Sequence, residues 1–251
     1  GKDSPVGLVA DFTCFNQVKK IFNQYSPDVI INLVALTNVD ECNQTPQKAY
    51  LLNVKVVENI TRCINANLLS TKLIQISTDM LYDSLLPAKE DEITITNMYA
   101  MTKYAGELAA LNVDAVVLRT NFFGHSMVKG RNSFSDWLIS AFRKKSELKL
   151  FNDVYFSPLS IESLVVNIEV VIKNFVCGIY NLGSHNGLSK ADFANILART
   201  LNVDLSFVSY VSISEAALIS NRPCHMMMDV SNFESTFGVL LPNLDDEIIE
   251  K

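Results

Sequence analysis

The feature that most constrains this chain is a repeated alternation, in its first half, of short β-branched apolar runs with longer helix-patterned stretches. Val29–Leu36 follows Pro27 and Asp28 as a continuous run of the kind that forms a parallel strand buried on both faces. A helical pattern then spans Gln47 to Asn67. Leu73–Ser77 reads as a second buried strand, Met98–Leu111 as a helix and Ala115–Arg119 as a third strand. The order β-α-β-α-β predicts an α/β fold with a doubly wound parallel sheet of Rossmann type, in which ligands sit beyond the carboxyl ends of the strands.

The second half predicts helices over Phe134–Lys144, Ile161–Asn174 and Lys190–Leu201, with strands over Gly178–Leu182 and Leu205–Tyr210. It reads as a smaller α/β substrate region, 123–251, interleaved with a dinucleotide-binding region, 1–122. With 251 residues, 49% of them hydrophobic, the chain has apolar material for one large domain or two tightly joined ones. A formal net charge of -6 argues against a duplex reader, which needs clustered Lys and Arg to displace counterions, so no nucleic-acid partner is expected.

Five scattered cysteines, Cys14, Cys42, Cys63, Cys177 and Cys224, contain no C-x-x-C pair, which predicts neither a disulfide framework nor a zinc knuckle and fits a reducing cytoplasm. The apolar runs are too short to span a membrane. His125, His185 and His225 lack metal-ligand spacing, so no catalytic metal is expected, and His125 reads as a solvated loop histidine. Met226–Met228 is read as a short buried strand. No serine-hydrolase elbow or Walker loop is present.

The chemistry concentrates at Ser77, Thr78 and Asp79, which follow the second strand, and at Tyr99 and Lys103, four apart at the start of a helix. Residues at that spacing share a helix face, so phenol and ammonium can address one point. A nearby cation favours tyrosinate and draws a phenol with a reference pKa of about 10 toward the range useful for proton transfer. With Thr78 holding a carbonyl oxygen, Tyr99 can donate a proton while hydride arrives at carbon. The spacing alone is weak evidence: 8 Tyr and 15 Lys in this chain give roughly half a chance occurrence. Its weight comes from the strand end upstream.

Taken together, Asp11 and Phe12 before a helix, Asn32 through Thr37 to Asp40 at a strand end, Leu52 and Asn53, Ser77–Asp79, Tyr99 to Glu107, and Leu118–Thr120 occur in an order that resembles the extended short-chain dehydrogenase/reductases. The similarity is greatest to the dTDP-4-dehydrorhamnose reductase branch. It continues through Asn132–Phe134, Leu148–Pro158, Arg222 and Pro223, and Phe237–Pro242, and so covers nearly the whole chain.

The resemblance implies reduction of the 4-keto group of a nucleotide-activated deoxysugar by NADPH or NADH. It implies a catalytic trio of Thr78, Tyr99 and Lys103. Cofactor contacts would come from Asp11, Phe12, Ala35, Thr37, Asn53, Tyr99 and Lys103, and substrate contacts from Thr78, Met80, Phe122 and Arg222. The Arg222 guanidinium would suit a phosphate, while a surface arginine before Pro223 explains it equally well. A cytoplasmic enzyme with a nucleotide-sugar substrate, no membrane partner and room for a homodimer follows.

The sequence departs from the pattern in two places. No glycine lies between Gly7 and Gly106, whereas such proteins hold the pyrophosphate with a glycine-rich turn at a helix N-terminus. A first β-α-β unit is therefore expected upstream of Gly1. The alternative is a noncatalytic regulatory or interaction subunit on the same fold. On the substrate side, Met80 and Phe122 stand where the rhamnose-pathway enzymes carry an aromatic and a Trp, which predicts a changed sugar. Met80 after Asp79 also leaves no acidic pair, against the related dehydratases.

Overall fold

The computed structural model describes residues 7–66, 70–127 and 132–249. In chain order its elements are α1 (Phe15–Tyr25), β1 (Val29–Asn32), α2 (Val39–Gln44), α3 (Pro46–Tyr50), a π-helical turn (Leu51–Lys55), α4 (Val56–Ala66), β2 (Lys72–Ile76), a 3-10 turn (Asp79–Leu81), α5 (Met98–Ala110), β3 (Ala115–Thr120) and β4 (Phe122–Phe123). There follow α6 (Phe134–Lys144), β5 (Leu148–Phe151), β6 (Tyr155–Phe156), β7 (Leu159–Ser160), α7 (Ile161–Lys173), β8 (Gly178–Leu182), β9 (Leu188–Ser189), α8 (Lys190–Thr200), β10 (Val208–Val211), β11 (His225–Met226), α9 (Ser231–Phe237) and α10 (Leu244–Ile249).

Two compact units result. The first comprises 7–77, 96–118 and 177–179 of the described chain, and the second 78–95, 119–176 and 180–249. The sequence-expected doubly wound sheet is present, with strand order β1-β2-β3-β8. β1 pairs parallel with β2, setting Ile31 opposite Ile74, and β2 pairs parallel with β3, setting Ile74 opposite Val116. Leu73, Ile74, Val116 and Val117 are fully buried, as parallel strands covered on both faces require. Each such side chain contributes about 1.5–3 kcal/mol relative to exposure.

β1 is shorter than its apolar run. After Asn32 the chain leaves the sheet because the Asn32 Oδ1 accepts the Val34 N–H at 3.1 Å, turning the backbone, and the Leu36 N–H is taken by the Asn53 Oδ1 at 2.7 Å. Leu33 and Val34 are accordingly exposed, Leu33 at 71%. The expectation of one strand through Leu36 is thus corrected: local side-chain acceptors outcompete the ladder. The expected helix Gln47–Asn67 is likewise interrupted, by the π turn between α3 and α4, and Asn67 lies outside the described residues, as does the stretch from Gly1 to Val6. The expected strand Leu205–Tyr210 forms later, as β10 beside β5.

The π turn is packed against α5 at Gly106. A Cβ built there would lie 2.3 Å from the Asn53 carbonyl oxygen, so only glycine permits this approach. In the same place the Asn53 Nδ2 donates to the Thr102 Oγ1 at 2.9 Å. The first unit's core gathers Val18, Phe22, Val56, Val57, Ile60, Leu73 and Val117 around this contact.

The second unit has a separate core in which Phe123, Phe134, Phe156 and Phe193 meet edge to face or tilted, with Leu138, Leu150 and Met226 around them. Its helices are begun by side-chain caps: Ser133 and Asp136 form a capping box on α6, Ser160 caps α7 and Ser189 caps α8. Arg119 is wholly buried, donating to the Tyr82 hydroxyl at 2.8 Å and the Glu90 carbonyl at 2.5 Å. Tyr82 in turn donates to the Asn181 Oδ1 at 2.6 Å.

Replacing Gly106 by Ala is expected to destabilise the protein by about 1–3 kcal/mol, the usual scale of overpacking. Urea unfolding at constant m-value measures it; an unchanged midpoint would contradict the close approach.

Candidate active site

α5 starts at Asn97, whose Oδ1 accepts the Ala100 N–H at 2.9 Å and fixes the first turn. That places Tyr99 and Lys103 one turn apart, both buried, with Lys103 only 4% exposed. The Lys103 Nζ donates to the Ile76 carbonyl oxygen at 2.7 Å, at the carboxyl end of β2. One turn further, Glu107 is fully buried and accepts a hydrogen bond from the Ser77 hydroxyl. Burial draws the Lys103 ammonium down to a pKa of about 8, and the Glu107 charge opposes that shift.

A stripe of phenol, ammonium and carboxylate therefore runs along one helix face. The sequence reading isolated the first two; Glu107 was legible as the next residue at the same spacing, and Ser77 as its hydroxyl partner at the strand end.

Around the end of β1, Ala35 is half-buried and Thr37 exposed. The Asn53 amide is engaged at both ends, accepting from the Leu36 N–H and donating to the Leu36 carbonyl at 3.2 Å and to Thr102. Asn53 thus holds the backbone of the β1-to-α2 connection. Asp11 is exposed and accepts from the Thr13 N–H at 2.9 Å and the Thr13 hydroxyl at 2.6 Å, bonds that hold its carboxyl below the usual range. Phe12 is half-buried, packs on the first unit's core, and its carbonyl accepts from Asn59 at 2.9 Å.

The second unit holds the other sequence-expected residues. Thr78 is buried and caps the 3-10 turn, its Oγ1 accepting the Met80 N–H at 3.2 Å. Met80 is half-buried against the aromatic core, Phe122 is 47% exposed on β4, and Arg222 is half-buried. His125 is exposed, with its Nδ1 2.8 Å from the Asp136 Oδ1 at the start of α6. Met226 lies in β11 beside β6. Among the described residues, no three His, Cys, Asp or Glu side chains are grouped to hold a metal ion, and no helix is long and apolar enough to cross a membrane.

Sequence reasoning named Asp79 but neither its partner Asn121 nor Lys190, both half-buried in this unit. Asp79 is 2% exposed and its Oδ2 accepts from the Asn121 Nδ2 at 2.6 Å. Lys190, the first residue of α8, places its Nζ 3.2 Å from the Phe156 ring centroid and 4.5 Å from that of Phe134. Asp79 and Asn121 are 42 residues apart and share no spacing, so only the fold reveals their bond.

A parallel Rossmann-type sheet, flanked by a helix that presents a tyrosine and a buried lysine one turn apart, defines a protein of the extended short-chain dehydrogenase/reductase kind. The chain belongs to the family described as RmlD substrate binding domain, whose model matches residues 6–250.

Among its relatives is a probable low-salt glycan biosynthesis reductase, Agl14, of Haloferax volcanii, 25% identical over 98% of this chain and 83% of the relative. Another is a dTDP-4-dehydrorhamnose reductase of Salmonella typhimurium, 28% identical over 92% of this chain and 81% of the relative. The crystal structure of a dTDP-4-dehydrorhamnose reductase from Clostridium acetobutylicum superposes with a TM-score of 0.87 at 25% identity, over 99% of this chain and 90% of that one. A Bacillus anthracis dTDP-4-dehydrorhamnose reductase in complex with NADP shares the fold at a TM-score of 0.86 and 24% identity, over 96% of this chain and 85% of that one.

The site predicts a lysine that titrates far from its ordinary value. Lys103, followed by NMR of its side-chain nitrogen, is expected to lose its proton near pH 8. Glu107→Gln removes the charge that favours the ammonium and should move the midpoint lower still. A midpoint at the reference value of about 10.4 would contradict the burial.

Proposed function

We propose that this protein is an NAD(P)H-dependent reductase of a nucleotide-activated sugar, acting on the 4-keto group of a deoxysugar. The observation that carries the reading is the pairing of Tyr99 with a buried Lys103 on the first turns of α5, beside the carboxyl end of β2. Relatives named as dTDP-4-dehydrorhamnose reductases support the substrate class.

A reduced nicotinamide, when bound, supplies hydride to the carbonyl carbon. The residues present fit the nicotinamide-ribose half of such a cofactor: one N–H of the Lys103 ammonium is bonded to Ile76, which leaves two N–H donors for ribose hydroxyls beside the Tyr99 phenol. Asp11 and Phe12 are assigned to the adenine end, and Ala35 and Thr37 to the path of the dinucleotide. Asn53 acts through the backbone it holds at Leu36.

The work of the chain's own groups follows from their chemistry. The phenol of Tyr99 gives its proton to the carbonyl oxygen as negative charge builds there. The Lys103 cation stabilises the phenolate left behind, and in a site removed from water that stabilisation is stronger than in solvent. The Ile76 carbonyl holds the ammonium in place, and the Glu107 charge favours its protonated form. Thr78 is assigned the second hydroxyl on the carbonyl oxygen, Met80 and Phe122 the wall against the sugar, and Arg222 the phosphate of the nucleotide.

Tyr99→Phe removes the transferable proton and leaves the ring. Turnover of dTDP-4-dehydrorhamnose with NADPH, measured by loss of nicotinamide absorbance, is expected to fall by roughly 100-fold or more, the usual span of a general acid, with the melting temperature unchanged. Wild-type turnover in the variant would remove Tyr99 from the mechanism. An intact gene product that neither binds nor consumes NADPH or NADH would instead favour the noncatalytic subunit.

A further inference from the structure

α5 turns two adjacent stripes onto the first unit. Tyr99, Lys103 and Glu107 form the one assigned to chemistry. Thr102 and Gly106, each one residue before a member of it, form the other, and both meet the π turn at Asn53: Gly106 because only a hydrogen fits beside the Asn53 carbonyl oxygen, Thr102 through its hydroxyl. On one rigid helix the seating of the second stripe sets the rotation of the first.

Thr102 is 6% exposed. Its Oγ1 lies 3.0 Å from the carbonyl oxygens of both Met98 and Tyr99, so its proton is shared backward along the helix, and a lone pair is left to accept the Asn53 Nδ2 at 2.9 Å. The Asn53 amide, itself buried, takes the Leu36 N–H on Oδ1 at 2.7 Å and gives its Nδ2 to the Leu36 carbonyl oxygen at 3.2 Å. Hydrogen bonds therefore run unbroken from the backbone between Ala35 and Thr37 to the helical turn that carries Tyr99. A second tie lies beside this one, where the Met98 N–H donates to the Asn43 Oδ1 at 2.9 Å at the end of α2, but that bond is exposed. The bond between Asn53 and Thr102 is buried, where water cannot stand in for a missing partner.

We propose that Thr102 is a positioning residue for the reduction: its hydroxyl locks the Asn53 amide, and with it the Leu36 backbone on the path assigned to the dinucleotide, to the turn that presents Tyr99. The inference rests on the reductase reading for what lies at the two ends, and on the hydrogen bonds for the tie itself. Without the hydroxyl, one N–H of the Asn53 amide is left in the core with no acceptor, and the amide is free to turn away from Leu36. Cofactor and proton donor then lose their common frame, and the geometry of attack is sensitive to small displacements of that kind.

Thr102→Val keeps the shape of the side chain and removes the hydroxyl, whereas Thr102→Ser keeps the hydroxyl. Amide hydrogen exchange reads the tie with no ligand present. In Thr102→Val the Leu36 amide should exchange at least about tenfold faster, as expected of a donor whose acceptor has come loose, while Ile74 and Val116 in the sheet keep their rates. Thr102→Ser should stay within about threefold of wild type at Leu36.

In the intact gene product, turning over dTDP-4-dehydrorhamnose with NADPH, Thr102→Val should lower kcat about tenfold and raise the NADPH Kd, measured by fluorescence titration, about fivefold, with KM for the sugar nucleotide unchanged. Thr102→Ser should bring both constants back to within about threefold of wild type. A threonine that serves stability alone would lower the melting temperature and leave kcat and the NADPH Kd of the folded protein as they were. Where Thr102→Val does not fold, Thr102→Ala, which leaves the space open, carries the same expectations. The proposal is overturned if Leu36 exchange matches wild type in the variants without the hydroxyl, if those variants keep wild-type kcat and NADPH affinity, or if Thr102→Ser fails as they do. Should wild-type protein reduce no keto sugar nucleotide, the reductase reading fails and the catalytic end of the proposal with it, while exchange at Leu36 still decides whether Thr102 holds the Asn53 amide.

Discussion

The first unit depends on one buried cation. The Lys103 ammonium, nearly free of solvent, bonds to the carbonyl oxygen of Ile76 at the last residue of a central strand. The same carbonyl accepts from the Gln75 Nε2 at 3.1 Å, so a lysine drawn out of water into the core is met by an acceptor already fixed in place. With Lys103 held there, the rest of α5 is fixed in rotation: Tyr99 comes one turn earlier on the same face, Glu107 one turn later, and Gly106 is turned onto the backbone of Asn53.

The second unit solves the same problem with different means. Arg119 and Asp79 are both buried, yet neither borrows charge from a surface ion pair. Arg119 is satisfied by the hydroxyl of Tyr82 and the carbonyl of Glu90, and Asp79 by the Asn121 amide. Buried ions held by hydrogen bonds of this kind fix a unique arrangement even where they add little net stability. In this unit they surround the residues assigned to the sugar.

Much of this was legible beforehand, for identifiable reasons. The β2, β3 and α5 elements were readable because their apolar runs are long and match one period, and Tyr99 and Lys103 because four-residue spacing is a local signal. The carboxyl end of β1 was misread because Asn32 and Asn53 act on the backbone through side-chain acceptors, which no hydropathy pattern records. The bond between Asp79 and Asn121 was missed since it joins residues 42 apart with no local pattern to mark them.

The π turn at Leu51–Lys55 bears on how this segment can change over evolution. Such a turn accommodates one residue more than an α-helix would in the same length, so it acts as a phase corrector between α3 and α4. Losing that extra residue would close the turn to plain α-helix and keep Val56, Val57 and Ile60 on the core, whereas losing one from the regular part of α4 would rotate everything after it by about 100°, one α-helical step. The turn is therefore the place in this stretch where a single residue can be shed without rephasing the helix, at the cost of the offset that sets the Asn53 amide on Leu36.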